Sequence, residues 1–252
     1  IQSGSLAVRW VPVAFLKATS TGRAYAMLSS SNPEAVLIQN EKNFNASNAG
    51  LVAVEPKTGQ ILTMVGSRGY FDEDIDGKVN ITIAHRQPGS AFKPFVYATA
   101  FARGYTPETV VFDVQTQFST NCQPSDVANS EPPCYSPGNY DETFSGPLSL
   151  RSALAMSKNI PAVKVLYLAG ITNAIETAEA MGITTLSDRE RYGLTLVLGG
   201  GEVTLLEMTS AYGVFGNDGV RNPPTGILRI EDTRGNVLES YEDQSVRVPD
   251  AE

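Results

Sequence analysis

The stretch Ser90-Ala-Phe-Lys-Pro-Phe-Val-Tyr-Ala-Thr-Ala-Phe-Ala-Arg103 predicts a helix that packs into the interior of a folded domain. Residues that would form one buried side recur at helical spacing, at Phe92, Phe95, Val96, Thr99 and Ala102. Pro94 falls at the first turn, where the loss of a backbone N–H costs at most one hydrogen bond. Gly104 follows the last periodic residue and can end the helix.

Strands are predicted on both sides of this helix along the chain. Residues 50–55 and 60–65 are apolar runs around the turn Pro56-Lys-Thr-Gly59, a pattern typical of a β-hairpin. Residues 225–241 alternate in polarity around Arg234-Gly-Asn236 and predict a closing hairpin. Between the hairpins, further helices are expected at 148–156, 161–169, 173–181 and 203–215. Strands at both ends with helices between them predict an α+β fold, an antiparallel sheet with helices.

The chain divides into a short N-terminal part and one larger domain. Residues 1–49 have no clean periodicity, and we expect a connector or a small subdomain there. Residues 50–252 are expected to form one domain. Within it, residues 113–147 are rich in Pro, Asn and Ser, and a loop of that length is usually functional or specially tied down. Because Ile1 is not an initiator Met, the sequence is expected to be a piece of a longer protein.

Composition excludes several classes of protein. The 252 residues are 42% hydrophobic, enough for a substantial core, and their formal net charge is -8. Since Lys and Arg form no cluster, a nucleic-acid surface is not expected. The sequence contains no apolar run long enough to span a membrane and no signal peptide.

The counts of histidine and cysteine narrow the possible chemistry. His85, Cys122 and Cys134 are the only His and Cys residues, and they lack the four-ligand spacing of a zinc site. A Ser-His-Asp triad would need His85 close before Ser90, which matches none of the chain orders of that triad. Phosphate-binding GxxxxGK[ST] and GxGxxG loops are absent. We therefore expect no metal, no cofactor and a catalytic base other than histidine.

Ser90 and Lys93 form the first motif that can carry chemistry. Three residues apart on a helix, they share one face. A serine hydroxyl is a poor nucleophile until a base takes its proton, and a partly desolvated lysine can be that base because burial disfavours its charged form. Gly89 would let the chain turn into the helix, whose first N–H groups could stabilise an oxyanion. The same spacing also occurs on solvated helix faces, but the apolar neighbours of this pair favour a buried site.

Ser157-Lys158-Asn159 forms the second motif, in the short connection between two predicted helices. If this stretch is extended, Ser157 and Asn159 point the same way. The hydroxyl could relay a proton to a leaving group, and the amide could hold a substrate backbone. Ser and Asn are also ordinary helix-capping residues, so Asn159 could simply start the next helix.

In this order, the two motifs and their surroundings resemble the transpeptidase domain of class A (bifunctional) penicillin-binding proteins. The resemblance covers roughly residues 45–245. Its matching stretches are Leu51-Val-Ala-Val-Glu-Pro-Lys-Thr-Gly59, Met64-Val-Gly-Ser67, Arg86-Gln-Pro-Gly-Ser-Ala-Phe-Lys-Pro-Phe95, Pro137-Gly-Asn-Tyr-Asp141, Leu150-Arg-Ser-Ala-Leu154, Ser157-Lys-Asn-Ile-Pro-Ala-Val163 and Leu198-Gly-Gly-Gly-Glu-Val-Thr204. It implies the penicillin-binding, serine β-lactamase-like transpeptidase fold.

The resemblance also implies a role for each motif residue. Ser90 would be the acylated nucleophile, with its backbone N–H forming half of an oxyanion hole, and Lys93 would be the general base. Ser157 would pass a proton to the leaving D-alanine, and Asn159 would hold the peptide. The substrates would be D-Ala-D-Ala stem peptides of peptidoglycan, which the enzyme cross-links, and β-lactams would inhibit it.

Two features depart from the family pattern. The family has a third motif, Lys-Thr-Gly, after the second, and nothing after Asn159 matches it. Lys57-Thr-Gly59 has the right letters but precedes Ser90, so we interpret it as turn chemistry and expect the third motif beyond residue 252. The glycosyltransferase domain of the family is also missing, although a membrane-anchored parent protein would carry one.

The resemblance implies a location on the outer face of the bacterial cell membrane. There, Cys122 and Cys134 would favour a disulfide that closes the polar loop near the mouth of the site. The alternative is two free thiols that never meet.

Other functions stay open on the sequence alone. A serine β-lactamase shares the serine and lysine but must also hydrolyse its acyl-enzyme. A non-catalytic penicillin-binding scaffold or sensor domain would keep the pocket without turnover, and the missing third motif favours it. A purely structural interaction domain is least favoured because Ser90 and Lys93 are both present.

Overall fold

The computed structural model describes residues 47–249 together with the strands β1 (Leu16–Ala18) and β2 (Ala24–Ala26). Most of the predicted connector, residues 1–49, lies outside the described residues. The α-helices of the described part are α1 (Lys93–Ala102), α2 (Leu150–Ala155), α3 (Asn159–Ala169), α4 (Ile171–Ala180) and α5 (Leu205–Phe215). Short 3-10 helices lie at Gly89–Phe92, Arg189–Arg191 and Leu194–Leu198. The remaining strands are β3 (Leu51–Val54), β4 (Ile61–Val65), β5 (Val110–Asp113), β6 (Gly146–Ser149), β7 (Val220–Arg221), β8 (Arg229–Glu231), β9 (Val237–Ser240) and β10 (Val246–Arg247).

All strand pairs of the described residues are antiparallel, and each forms a two-stranded sheet. The pairs are β1–β2, β3–β4, β5–β6, β7–β10 and β8–β9. The predicted first hairpin is confirmed, with Gly59 in its turn at φ 73°. The predicted closing hairpin is also confirmed, with Gly235 at φ 84°. Helices and antiparallel strand pairs together confirm the predicted α+β class, although the strands do not join into one continuous sheet.

Helix α3 lies at the centre of the hydrophobic core. Seven of its eleven residues are buried, on nearly every side, as expected of a helix that is apolar all round. It packs against α1 and the 3-10 helix Leu194–Leu198, and α4 packs against α1. Between α1 and α4, the hydroxyl of Thr99 contacts that of Thr177 at 2.9 Å. The core therefore fixes where the first residues of α1 and α3 lie.

The helix predicted at residues 90–103 begins differently from the prediction. Residues Gly89–Phe92 form a 3-10 turn, and the α-helix starts only at Lys93 with Pro94 in its first turn. Phe92 and Phe95 are fully buried on either side of that start. The first turn is therefore anchored in the core by its aromatic side chains.

Residues 199–212 pack closely against the 3-10 turn. Gly199 has a left-handed backbone, φ +88°, and a Cβ atom built on it would lie 2.2 Å from the backbone N of Gly89. Arg86 and Val203 are joined by a two-way backbone bridge, with N–O distances of 2.9 and 3.0 Å. The hydroxyl of Tyr212 donates to the carbonyl of Ala91 at 2.7 Å. These contacts hold both sides of Ser90 in place.

The polar loop between β5 and β6 is closed by a disulfide between Cys122 and Cys134, whose Cα atoms lie 5.5 Å apart. The predicted bond is confirmed. At the base of the loop, the backbone N–H of Phe118 donates to the carbonyl of Tyr135 at 2.8 Å. The side-chain oxygen of Gln117 accepts from the backbone N–H of Tyr135 at 2.7 Å. The long segment is therefore tied down rather than open.

No helix among the described residues combines the length and apolar character needed to cross a membrane.

Replacing Gly199 by Ala should destabilise the protein, because the new methyl group meets the backbone of Gly89 and the residue keeps a left-handed φ of +88°. We expect the free energy of unfolding in denaturant to fall by at least about 2 kcal/mol. The matched control is Gly226→Ala, since a Cβ atom there meets nothing within 4 Å. Its effect should stay within about 0.5 kcal/mol. Equal losses of unfolding free energy in the two variants would contradict the close approach of Gly199 to the backbone of Gly89.

Candidate active site

Ser90 lies on the 3-10 turn with its side chain exposed, and Lys93 begins helix α1 with only 1% of its surface exposed. The turn joins the two residues through a hydrogen bond from the backbone N–H of Lys93 to the carbonyl of Ser90. The short spacing thus places an exposed serine and a buried lysine on one turn of the chain. Among the described residues, the Ser90 hydroxyl takes part in no hydrogen bond to Lys93.

The amino group of Lys93 reaches across to the second motif. Its Nζ donates to the backbone carbonyl of Ser157 at 2.6 Å and to Oδ1 of Asn159 at 2.8 Å. The Ser157 hydroxyl lies 3.2 Å from the same nitrogen. Two sequence motifs more than sixty residues apart therefore meet at one nitrogen atom.

Burial lowers the pKa of Lys93 from its ordinary 10.5 to about 8. The partners of Nζ fit a neutral amine, which has two N–H donors and one lone pair. The carbonyl of Ser157 and the amide oxygen of Asn159 can only accept, so they take the two N–H groups. The Ser157 hydroxyl, which can both accept and donate, can pair with the third N–H of the charged form or with the lone pair of the neutral form. Lys93 can therefore give up its charge without breaking a contact.

The second motif is not fully extended, the conformation in which its two polar side chains were expected to point the same way. Ser157 has a left-handed backbone with φ 53°, which is uncommon for a residue other than glycine. Lys158 is extended, with ψ 136°, and Asn159 is the first residue of helix α3. Ser157 and Asn159 nevertheless face the same nitrogen, because the left-handed turn brings them to one side. Asn159 thus both starts a helix and contacts Lys93.

Lys158 faces the opposite way and is 3% exposed. Its Nζ donates to Asp141 Oδ2 at 2.8 Å and to the hydroxyl of Thr143 at 3.0 Å, and it lies 3.6 Å from Asp113 Oδ2. The hydrogen bond from Lys158 lowers the pKa of the Asp141 carboxyl to about 2, and the same bond raises the pKa of Lys158. Sequence reasoning assigned no role to Lys158, since its partners lie far away along the chain.

Sequence reasoning also gave no role to Gly138 and Asn139 within the matching stretch at 137–141. Asn139 is 5% exposed, and its Oδ1 accepts from the backbone N–H of Asn159 at 2.8 Å. The carbonyl of Gly138 accepts from the side-chain amide of Asn159 at 2.9 Å. The sequence signals for these contacts are the length and polarity of the loop and the matching stretch at 137–141, and neither names a partner for Asn139.

Lys57-Thr58-Gly59 lies in the turn between β3 and β4, as its interpretation as turn chemistry predicted. A Cβ atom on Gly59 would lie 2.1 Å from the carbonyl oxygen of Pro223, so the turn is packed against residues 222–225. Within residues 47–249, no group of three or more His, Cys, Asp and Glu side chains is placed to hold a metal ion.

The lowered pKa of Lys93 predicts a stability change with pH. The folded protein releases this proton near pH 8 and the unfolded chain near its ordinary value of 10.5, so the unfolded state binds more protons between these limits. Stability should therefore rise with pH in that window, by up to about 3 kcal/mol from this group. The test compares unfolding free energies of the parent protein and Lys93→Met from pH 8 to 10.5. A difference between them that does not change with pH would contradict the lowered pKa.

Residues 49–250 match the sequence profile of a family described as Penicillin binding protein transpeptidase domain. Penicillin-binding protein 2D of Bacillus subtilis is 36% identical over 202 residues, which are 80% of this chain and 27% of that protein. Penicillin-binding protein 1A of Pseudomonas aeruginosa is 34% identical over 204 residues, 81% of this chain and 23% of that protein. The chain thus spans about a quarter of the length of these curated relatives.

Solved structures show the same similarity. The crystal structure of penicillin-binding protein 1A from Haemophilus influenzae aligns with a TM-score of 0.65 and 31% identity, over 78% of this chain and 27% of that chain. Penicillin-binding protein 3 from Mycobacterium tuberculosis, complexed with ampicillin, aligns with a TM-score of 0.67 and 20% identity, over 86% and 51% of the two chains. At that identity the second alignment supports the fold alone. Together they confirm the fold that the sequence resemblance implied.

Proposed function

Because this chain belongs to the class A penicillin-binding protein transpeptidase family, we propose that Ser90 is the nucleophile of a peptidoglycan transpeptidase and Lys93 its general base. The observation that carries this proposal is the amino group of Lys93. It belongs to a buried residue on the same turn as the exposed Ser90, and it is hydrogen-bonded to both Ser157 and Asn159. A solvated helix face, the alternative interpretation of the Ser90–Lys93 spacing, would leave that amine in water.

The first chemical step joins Ser90 to the substrate. The neutral amine of Lys93 takes the proton of the Ser90 hydroxyl while Oγ attacks the carbonyl carbon of the D-Ala-D-Ala peptide bond. A pKa of about 8 leaves a useful neutral fraction near neutral pH, and the ammonium that forms has two carbonyl-type oxygens ready to accept from it. The backbone N–H of Ser90 provides half of the oxyanion hole.

The second step breaks the peptide bond. Lys93 returns its proton through the hydroxyl of Ser157, 3.2 Å away, and that hydroxyl protonates the nitrogen of the departing D-alanine. The left-handed backbone of Ser157 directs both its carbonyl and its hydroxyl to Lys93, which supports this relay. Asn159 holds the backbone of the stem peptide. The product is an ester between Ser90 and the remaining peptide.

The fate of that ester depends on the acceptor. An amine on a neighbouring stem peptide attacks it and forms a cross-link, whereas water releases a carboxylic acid and gives carboxypeptidase activity. A β-lactam acylates Ser90 in the same way, but its ring-opened product stays attached as a long-lived ester.

The location of the proposed substrates determines on which side of the membrane the domain would act. Peptidoglycan stem peptides lie outside the cytoplasmic membrane, so we place the domain on the outer face of the bacterial membrane. The disulfide between Cys122 and Cys134 agrees with that compartment. We also propose a membrane-anchored parent protein with a glycosyltransferase domain, as the class A relationship implies.

One observation favours a second function, a non-catalytic penicillin-binding scaffold or sensor. Within the described residues, the side-chain hydrogen bonds of Lys93 all go to Ser157 and Asn159 and none to Ser90. A site that only senses β-lactams would tolerate that arrangement. Catalytic hydrogen bonds often reach their final geometry only when substrate binds, so the same arrangement also fits Lys93 as the base of Ser90.

Incubation with a reporter β-lactam should add one adduct mass to the intact protein. The adduct should be lost in Ser90→Ala, because the proposed mechanism forms the ester on the hydroxyl of Ser90. The matched control is Ser187→Ala, which also removes an exposed serine hydroxyl but lies outside both motifs. It should be labelled like the parent protein. An adduct that persists in Ser90→Ala would show that the nucleophile is another residue.

A further inference from the structure

The side chain of Asn139 uses its full hydrogen-bonding capacity in the interior. An asparagine amide has two donors and two acceptor lone pairs. Its Oδ1 accepts from the backbone N–H groups of Asn159 and Ile160, at 2.8 and 3.3 Å. Its Nδ2 donates to Asp113 Oδ1 at 2.7 Å and to the carbonyl of Thr143 at 2.8 Å. With 5% of its surface exposed, this amide has little contact with water.

Asn139 acts as the cap of helix α3 from twenty residues away along the chain. The first N–H groups of a helix have no partner within it. The residue before α3, Lys158, makes no capping hydrogen bond with its own side chain, which points instead to Asp113 and Asp141. Asn139 supplies the missing acceptor. The start of α3, and with it the backbone of Asn159, is therefore fixed by the loop rather than by its own neighbours.

Gly138, the neighbour of Asn139 in the chain, fixes the orientation of the Asn159 side chain. The carbonyl of Gly138 accepts from Nδ2 of Asn159 at 2.9 Å. Because the two polar atoms of an amide point to opposite sides, holding Nδ2 there turns Oδ1 towards Lys93, 2.8 Å from its Nζ. Gly138 and Asn139 thus set both the position and the rotation of the Asn159 amide.

Strand β5 anchors this arrangement. Asp113 at its end is fully buried, and its two oxygens take different partners. Oδ1 accepts from Asn139, and Oδ2 accepts from the backbone N–H of Ser145 at 2.9 Å and faces Lys158. The loop and the second motif are therefore both tied to one rigid strand residue.

From these contacts we propose that Asn139 is a positioning residue of the acylation reaction. It holds Asn159 in the position from which its Oδ1 accepts a hydrogen bond from Lys93. In the proposed reaction, Asn159 also holds the peptide substrate from that position. The inference rests on the proposed function, since it assigns Asn139 a role in the reaction of Ser90. Asn139 itself touches no reacting atom and acts through Asn159.

The test is a double-mutant cycle on the acylation rate of the parent protein by a reporter β-lactam. Asn139→Ala should slow acylation by about tenfold to a hundredfold, the loss that a displacement of about 1 Å in an active site can cause. In an Asn159→Ala background, the same change should have less than about a threefold effect, because the group it positions is gone. Losses that multiply in the double variant would show a general structural role and overturn the proposal. An unchanged rate in Asn139→Ala would overturn it as well.

Asn222→Ala is the matched control. Asn222 is also a buried asparagine, 6% exposed, and its amide donates to the carbonyl of Pro56 in the first hairpin. It should lose thermal stability without a comparable loss of acylation rate, measured well below the melting temperature of each variant. If Asn222→Ala slows acylation as much as Asn139→Ala does, lost stability explains both effects and the proposal fails.

Hydrogen exchange in the parent protein tests the geometry without a variant. The backbone N–H groups of Asn159 and Ile160 should exchange slowly, although helix-initial amides without partners exchange freely. Free exchange at both would overturn the proposal, even if Asn139→Ala fails to fold. A parent protein that forms no adduct would instead count against the proposed function, so the two failures are distinguishable.

Discussion

The buried amino group of Lys93 is the constraint on which the rest of the site depends. A lysine taken out of water must find acceptors for its protons or lose its charge. The carbonyl of Ser157 and the amide oxygen of Asn159 are those acceptors, and they face one point because Ser157 takes a left-handed backbone. Strain of that kind persists only where the surroundings hold it. Here the next residue, Lys158, forms ion pairs with Asp113 and Asp141 and so holds the turn from its other side.

The proposed nucleophile, Ser90, and its proposed base, Lys93, are supported by different parts of the fold. Ser90 lies on a 3-10 turn braced by Gly199 and by the hydroxyl of Tyr212 on α5. The partners of Lys93 are held by the loop that carries Asn139 and by strand β5. The turn that carries Ser90 and the partners of Lys93 therefore have separate supports. In the proposed reaction, the acceptors for the protons of Lys93 are already in place before substrate binds, which lowers the cost of reaching the transition state.

Much of the fold could be predicted from the sequence, because local patterns determine it. The apolar periodicity located the five α-helices of the described part of the chain to within a few residues, and Gly59 and Gly235 located the turns of two hairpins. The spacing of Ser90 and Lys93 and the order of the two motifs predicted the candidate site. The contacts that Asp113 makes with Asn139 and Lys158 could not be predicted. These residues are far apart along the chain, and each is an ordinary polar residue by itself. The left-handed Ser157 was missed for the same reason, since tertiary contacts impose it.

The central claim is that Lys93, whose pKa is lowered to about 8 by burial, is the base that activates Ser90. The most direct test is the pH dependence of the acylation rate in the parent protein and in Lys93→Arg. The account predicts that the parent rate rises with pH up to about 8, the lowered pKa of Lys93, and then levels off. It predicts little acylation of the arginine variant, because arginine stays charged. An arginine variant that acylates as fast as the parent protein at neutral pH would contradict it.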